Sequence, residues 1–145
     1  MNKPVVIAMI EDDEGHARLI EKNLRRAGVH NEIVALPDGA RAIAFLFGPD
    51  GTGLVNKGRP MLILLDLNLP DMSGIDILKR VKENQHLKLL PVVVLTTTDD
   101  KNEIQRCYDL GCNVYITKPV DYEKFAHAIQ QFGLFMYVMQ IPAAN

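Results

Sequence analysis

The chain has 145 residues, 48% of them hydrophobic and 23% charged, with a formal net charge of -2. That length supports one domain with a single core, and the charge supplies no basic excess to favour nucleic acid. No apolar run approaches membrane-spanning length, and the run after Met1-Asn2-Lys3-Pro4 is too short for a secretion signal, so the sequence predicts a cytoplasmic protein with no membrane or nucleic-acid partner.

In chain order, Val5 to Ile10 is a continuous apolar run, the pattern of a strand covered on both faces. It stops at Glu11-Asp12-Asp13-Glu14, which reads either as a solvated helix-capping cluster or as part of a site. Ala17, Ile20, Leu24 and Ala27 recur at helical spacing until Gly28. Glu32 to Leu36 reads as a short strand, and Asp38 caps a helix with Ala40, Ile43, Ala44 and Phe47 as its core face. Residues 48–60 hold four glycines and two prolines. This stretch lacks the Gly-Lys-Ser/Thr ending of a phosphate-binding loop and reads as a surface insertion.

Met61 to Leu65 is the most completely apolar strand, and it runs straight into Asp66. A carboxylate there either caps the following turn or sits at the sheet edge where ligands bind. Pro70 and Gly74 mark a turn, and Ser73 caps a helix with Ile77, Leu78 and Val81 inward. Val92 to Leu95 is a fourth strand, ending in Thr96-Thr97-Thr98. Asp99 or Asp100 starts a helix through Ile104, Cys107 and Tyr108, closed at Gly111. Val114 to Thr117 is a fifth strand, ending at Lys118-Pro119. A last helix begins near Asp121 and shows Phe125, Ile129, Phe132, Met136 and Met139. Strand and helix alternate five times, which predicts a doubly wound parallel α/β sheet with helices on both faces. Cys107 and Cys112 have no Cys/His partners for a zinc site and read as buried thiols. His16, His30, His86 and His127 show no ligand spacing and read as surface or satisfied residues.

Glu11, Asp12, Asp13, Asp66, Thr96 and Lys118 all fall at strand ends on one edge. Carboxylates held close together repel, and a divalent cation neutralises them. Oxygen ligands without His or Cys favour a hard octahedral ion, Mg2+. Lys118 and the Thr96 hydroxyl add donors suited to phosphoryl oxygens. The chemistry implied is phosphoryl transfer to a carboxylate, with Asp66 as nucleophile.

The order Glu11-Asp12, then Asp66-Leu67-Asn68-Leu69-Pro70-Asp71-Met72-Ser73-Gly74, then Thr96, then Tyr115-Ile116-Thr117-Lys118-Pro119 resembles the receiver domain of two-component response regulators. The resemblance implies a flavodoxin-like five-stranded sheet of order 2-1-3-4-5 with five helices. It implies that Asp66 accepts a phosphoryl group from a sensor histidine kinase, and that Asp12 and Asp66 ligate Mg2+ through side chains. Asn68 would ligate through its backbone carbonyl and Glu11 through a coordinated water. Thr96 and Lys118 would bind phosphoryl oxygens, the Lys118-Pro119 bond would be cis, and Tyr115 would turn inward as Thr96 moves. Asp13 is then a helix cap. Such a protein is a phosphoacceptor rather than an enzyme acting on other molecules.

Residues 1–145 read as a single receiver domain with an apolar tail at about 133–145, so its output is a contact with another protein, a downstream target or a phosphorelay member. Around Phe132, Phe135, Met136 and Met139 the last helix is apolar nearly all round, which fits either packing under the domain's own loops or a homodimer interface. The long 48–60 loop and the apolar tail are similar to single-domain regulators paired with phytochromes, which implies a phytochrome-type kinase as donor. Two alternatives are a pseudo-receiver that binds partners without phosphorylation and a haloacid dehalogenase-type phosphotransfer enzyme. The latter needs a second acid where this chain has Asn68.

Overall fold

The computed structural model describes residues 4–118 together with Glu123, His127 and Gln130. Five parallel strands, β1 (Val6–Ile10), β2 (Ile33–Leu36), β3 (Met61–Leu65), β4 (Val92–Thr96) and β5 (Val114–Thr117), form one sheet in the order β2-β1-β3-β4-β5. Four helices connect them: α1 (Glu14–Arg26), α2 (Gly39–Phe47), α3 (Gly74–Glu83) and α4 (Lys101–Asp109). The apolar runs predicted as buried strands are β1, β3 and β4, and every residue in them is buried. Strands with helices on both faces need apolar side chains pointing both ways, which is why no alternation marks them.

Period-two geometry then divides those side chains between two cores. Ala8, Ile10, Ile63, Leu65, Val92 and Val94 meet α2, α3 and α4 on one face, through Leu46, Ile77, Leu78, Val81 and Cys107. Ile7, Met9, Leu62, Leu64, Val93 and Leu95 meet Ile20 and Leu24 of α1 on the other. Each fully buried Leu or Ile contributes about 2 kcal/mol, so these strands tolerate no polar substitution. Both cysteines are free and buried.

The helix starts follow the capping residues. Asp13, Asp38, Ser73 and Asp100 each accept a backbone N–H at the N-terminus of their helix, so Asp100 rather than Asp99 opens α4. The core face of α2 differs from the expected one: Ala40 and Ala44 are exposed and Ile43 is half-buried, while Ala42, Leu46 and Phe47 are buried. With Arg41 as its one polar residue, this helix offers no contrast from which periodicity could choose a face.

The 48–60 stretch is an insertion with internal structure. A 3-10 turn at Leu54–Asn56 leaves Leu54 and Val55 exposed. Asn56 is buried, and its amide donates to the carbonyls of Phe45 and Leu46 at 2.8 and 2.9 Å, pinning the loop to the C-terminus of α2. Asn84 at the end of α3 donates to the Thr52 carbonyl. Glu123, His127 and Gln130 are helical and exposed, one face at helical spacing where the last helix was expected. The apolar residues expected to form the interface, Phe132, Phe135, Met136 and Met139, lie outside the described residues.

Candidate functional site

Because all five strands are parallel, the ends of β1, β3, β4 and β5 share one edge, and main-chain hydrogen bonds fix their relative height. Asp66 N donates to Ile10 O at 3.0 Å and Lys118 N to Thr96 O at 2.6 Å. Glu11, Asp66, Thr96 and Lys118 are therefore brought together, all buried, with Asp12 and Asn68 exposed at the rim.

Lys118 crosses the site. Its ammonium donates to Glu11 Oε1 and, at 3.0 Å, to Asp66 Oδ2. Asp66 Oδ1 accepts the Asn68 backbone N–H at 2.9 Å. Burial alone would disfavour ionisation of Asp66, but the Asn68 N–H and the Lys118 charge outweigh it and hold its pKa below the ordinary value. Glu11 goes the other way. Burial pushes it up to about 7, and Lys118 recovers only part of that cost while the Asp66 charge adds to it. Two carboxylates in similar surroundings thus differ in basicity, and Asp66 is the one kept as a ready anion.

Oxygens of Glu11, Asp12 and Asp66 all lie within 4.8 Å of one another. This all-oxygen donor set fits a divalent cation of the hard class, and one lysine leaves the carboxylate cluster with excess negative charge to be neutralised. The Asn68 side-chain amide lies 3.3, 3.4 and 3.5 Å from the hydroxyls of Thr96, Thr97 and Thr98, linking the β3 and β4 edges. The Tyr115 hydroxyl donates to Thr98 O at 2.6 Å, and burial raises its pKa. As expected, Asp13 is a cap: its Oδ1 accepts the His16 N–H at 2.9 Å. Pro119 lies outside the described residues, and with it the Lys118-Pro119 bond.

Three contributions were missed from the sequence. His16, expected as a surface or satisfied residue, places Nδ1 3.2 Å from Lys118 Nζ and 3.8 Å from Glu11 Oε1. The cap at Asp13 was the available signal, because it sets His16 on the first turn of α1, directly over the end of β1. Asp71 accepts the N–H groups of Gly39 and Ala40 at 2.7 and 2.9 Å and so ties the loop after Asp66 to the start of α2. At Gly74 a Cβ would strike the Asp66 carbonyl and come within 2.7 Å of Leu67 Cα.

The sequence model described as "Response regulator receiver domain" matches residues 7–130. The chain belongs to the response regulator receiver domain family. It is 38% identical over 146 residues to response regulator Rcp1 of Synechocystis, covering 99% of this chain and 97% of that protein. Among solved structures, a response regulator receiver domain from Rhodospirillum rubrum superimposes with a TM-score of 0.95 at 69% identity, over 97% of this chain and 99% of that one. The phosphorylated cyanobacterial phytochrome response regulator RcpA gives 0.84 at 34% identity, over 97% and 100% of the two chains. The Mn(2+)-bound form of Rcp1 gives 0.85 at 35% identity, with the same coverage. This receiver is therefore homologous to phytochrome-associated response regulators, and its fold is the receiver fold. Receiver domains bind divalent metal, and the acidic cluster here suits one. Among the described residues no helix is long and apolar enough to cross a membrane.

Proposed function

We propose that this receiver takes a phosphoryl group on Asp66 from a sensor histidine kinase and signals through protein contacts. The observation that carries this reading is the Asp66 carboxylate itself: a buried anion at a sheet edge, kept ionised by Asn68 N–H and Lys118 and flanked by two further acids. An Asp66 oxygen forms the bond to phosphorus as the bond from phosphorus to the kinase histidine nitrogen breaks, its electron pair staying on that nitrogen. Asp12 and Asp66 side chains, the Asn68 carbonyl and Glu11 through a water would hold Mg2+. When bound, that ion screens the charge of the incoming phosphoryl oxygens. Lys118 and the Thr96 hydroxyl bind two of those oxygens. As Thr96 moves toward the phosphoryl group, Tyr115 turns inward and changes the surface of α4 and β5.

The kinship with RcpA supports a phytochrome-type kinase as donor. The apolar composition of the tail is what favours a homodimer, and a downstream protein or relay partner is the output. The domain acts in its own phosphorylation and dephosphorylation and on no other substrate, and it works in the cytoplasm. The test is mass spectrometry after incubation with Mg2+ and acetyl phosphate, with light scattering of the same sample. One phosphoryl group on the wild type and none on Asp66→Asn is the expected result. A wild type that stays unlabelled with every donor would overturn the reading and leave a partner-binding pseudo-receiver.

A further inference from the structure

The Lys118 side chain is 4% exposed, and a buried ammonium has three N–H bonds to satisfy. Two point at Glu11 and Asp66. Among the described residues the third acceptor within reach is His16 Nδ1 at 3.2 Å. Lysine offers no acceptor, so the contact requires a lone pair on Nδ1 and the proton on Nε2. Nothing else in the mechanism uses this ring. Its position is set by the main chain, because the His16 N–H is held by the Asp13 cap, and its side chain remains 43% exposed at the mouth of the site.

We propose that His16 is a positioning residue for Lys118, holding the ammonium in place while it exchanges partners during phosphoryl transfer. The inference rests on Asp66 being the phosphoacceptor. Before transfer, Lys118 donates to Asp66 Oδ2. During transfer from acetyl phosphate, an Asp66 oxygen forms the new O–P bond, the old O–P bond breaks with its electron pair leaving on acetate, and no proton changes hands. The Lys118 N–H that had pointed at Asp66 Oδ2 turns to a phosphoryl oxygen. An ammonium anchored by His16 makes that exchange by a small rotation about its own axis; without the anchor it must be found again from a wider range of rotamers.

The test compares wild type with His16→Ala, His16→Leu and His16→Asn in two measurements. The first, with no phosphoryl donor present, is the hydrogen-exchange rate of the Lys118 ammonium by nitrogen-15 NMR. The second is the Asp66 labelling rate against acetyl phosphate concentration with Mg2+. Loss of one hydrogen bond to a charged group predicts about a tenfold fall in maximal labelling rate for His16→Ala, with the half-saturating donor concentration unchanged and ammonium exchange accelerated. His16→Leu, which restores bulk without an acceptor, should match His16→Ala. His16→Asn, whose carbonyl oxygen stands at a similar distance from the backbone, should recover both readouts. Wild-type exchange and labelling in the alanine and leucine variants would overturn the proposal, as would an asparagine variant as impaired as alanine. If the wild type were not labelled at all, the phosphoacceptor reading would fail separately, while the exchange measurement still decides whether His16 holds Lys118.

Discussion

Gly74 shows how tightly one backbone position can constrain the site. Its dihedrals do not demand glycine, since its φ is not positive; what demands it is the space around it. The Gly74 N–H donates to Leu67 O at 3.0 Å, and the chain folds so closely over Asp66 that an added methyl would strike backbone rather than a movable side chain. Gly74→Ala should therefore destabilise the fold by about 1–3 kcal/mol, the usual cost of overpacking, visible as a lower urea midpoint. Because the clash is with the Asp66 carbonyl, the same variant should also bind Mg2+ more weakly. An alanine variant of unchanged midpoint and affinity would mean that the loop moves away without cost. Asp66 itself was legible as a carboxylate after a buried strand, but this contact was not. It joins residues eight apart through a turn, and in the sequence Gly74 reads as ordinary turn punctuation.

At the scale of elements, Asp71 joins two pieces that the chain separates. Its carboxylate accepts two N–H groups at the start of α2 and favours the positive end of that helix. Those bonds from Gly39 and Ala40 hold its pKa below the ordinary value. The sign follows: a carboxylate with a depressed native pKa stabilises the fold above its unfolded pKa, near 4, and that contribution is lost as pH falls through the native value. Urea midpoints of wild type and Asp71→Asn should differ at pH 7 and converge below pH 4. A gap that persists in acid would rule out the ionised clamp. Strand order, helix caps and the acidic edge were readable because each has a local signature: an unbroken apolar run, a capping residue, a charge at the end of a strand. The clamp spans 32 residues, and the face of α2 lacked polar contrast, so neither left such a mark. His16 falls between these cases: the Asp13 cap that fixes its backbone has a local signature, but its contact with Lys118 joins residues 102 apart.

Across the whole molecule, the site stores a conflict between folding and metal binding. Lys118 is the one cation placed against both Glu11 and Asp66 among the described residues. Glu11, ordinarily titrating near 4.5, is moved up to about 7, chiefly by burial. Between those values the native chain holds a proton that the unfolded chain has released, so stability of the metal-free protein falls as pH rises from about 5 to 7. The full effect is on the order of 3 kcal/mol. Asp66, with its lowered pKa, acts in the opposite sense and at lower pH, losing its stabilising contribution below about pH 4. A divalent cation held beside Glu11 would favour its ionised form and release the proton, so its affinity would rise over the window in which the fold without it weakens. Melting temperatures in EDTA and in Mg2+ should therefore lie close together near pH 5 and separate steadily to pH 8. In Glu11→Gln, which cannot ionise, the EDTA curve should flatten between pH 5 and 7. The same metal-induced shift at every pH would show that Glu11 is already ionised beside Lys118, and that the lysine alone settles the charge of the site.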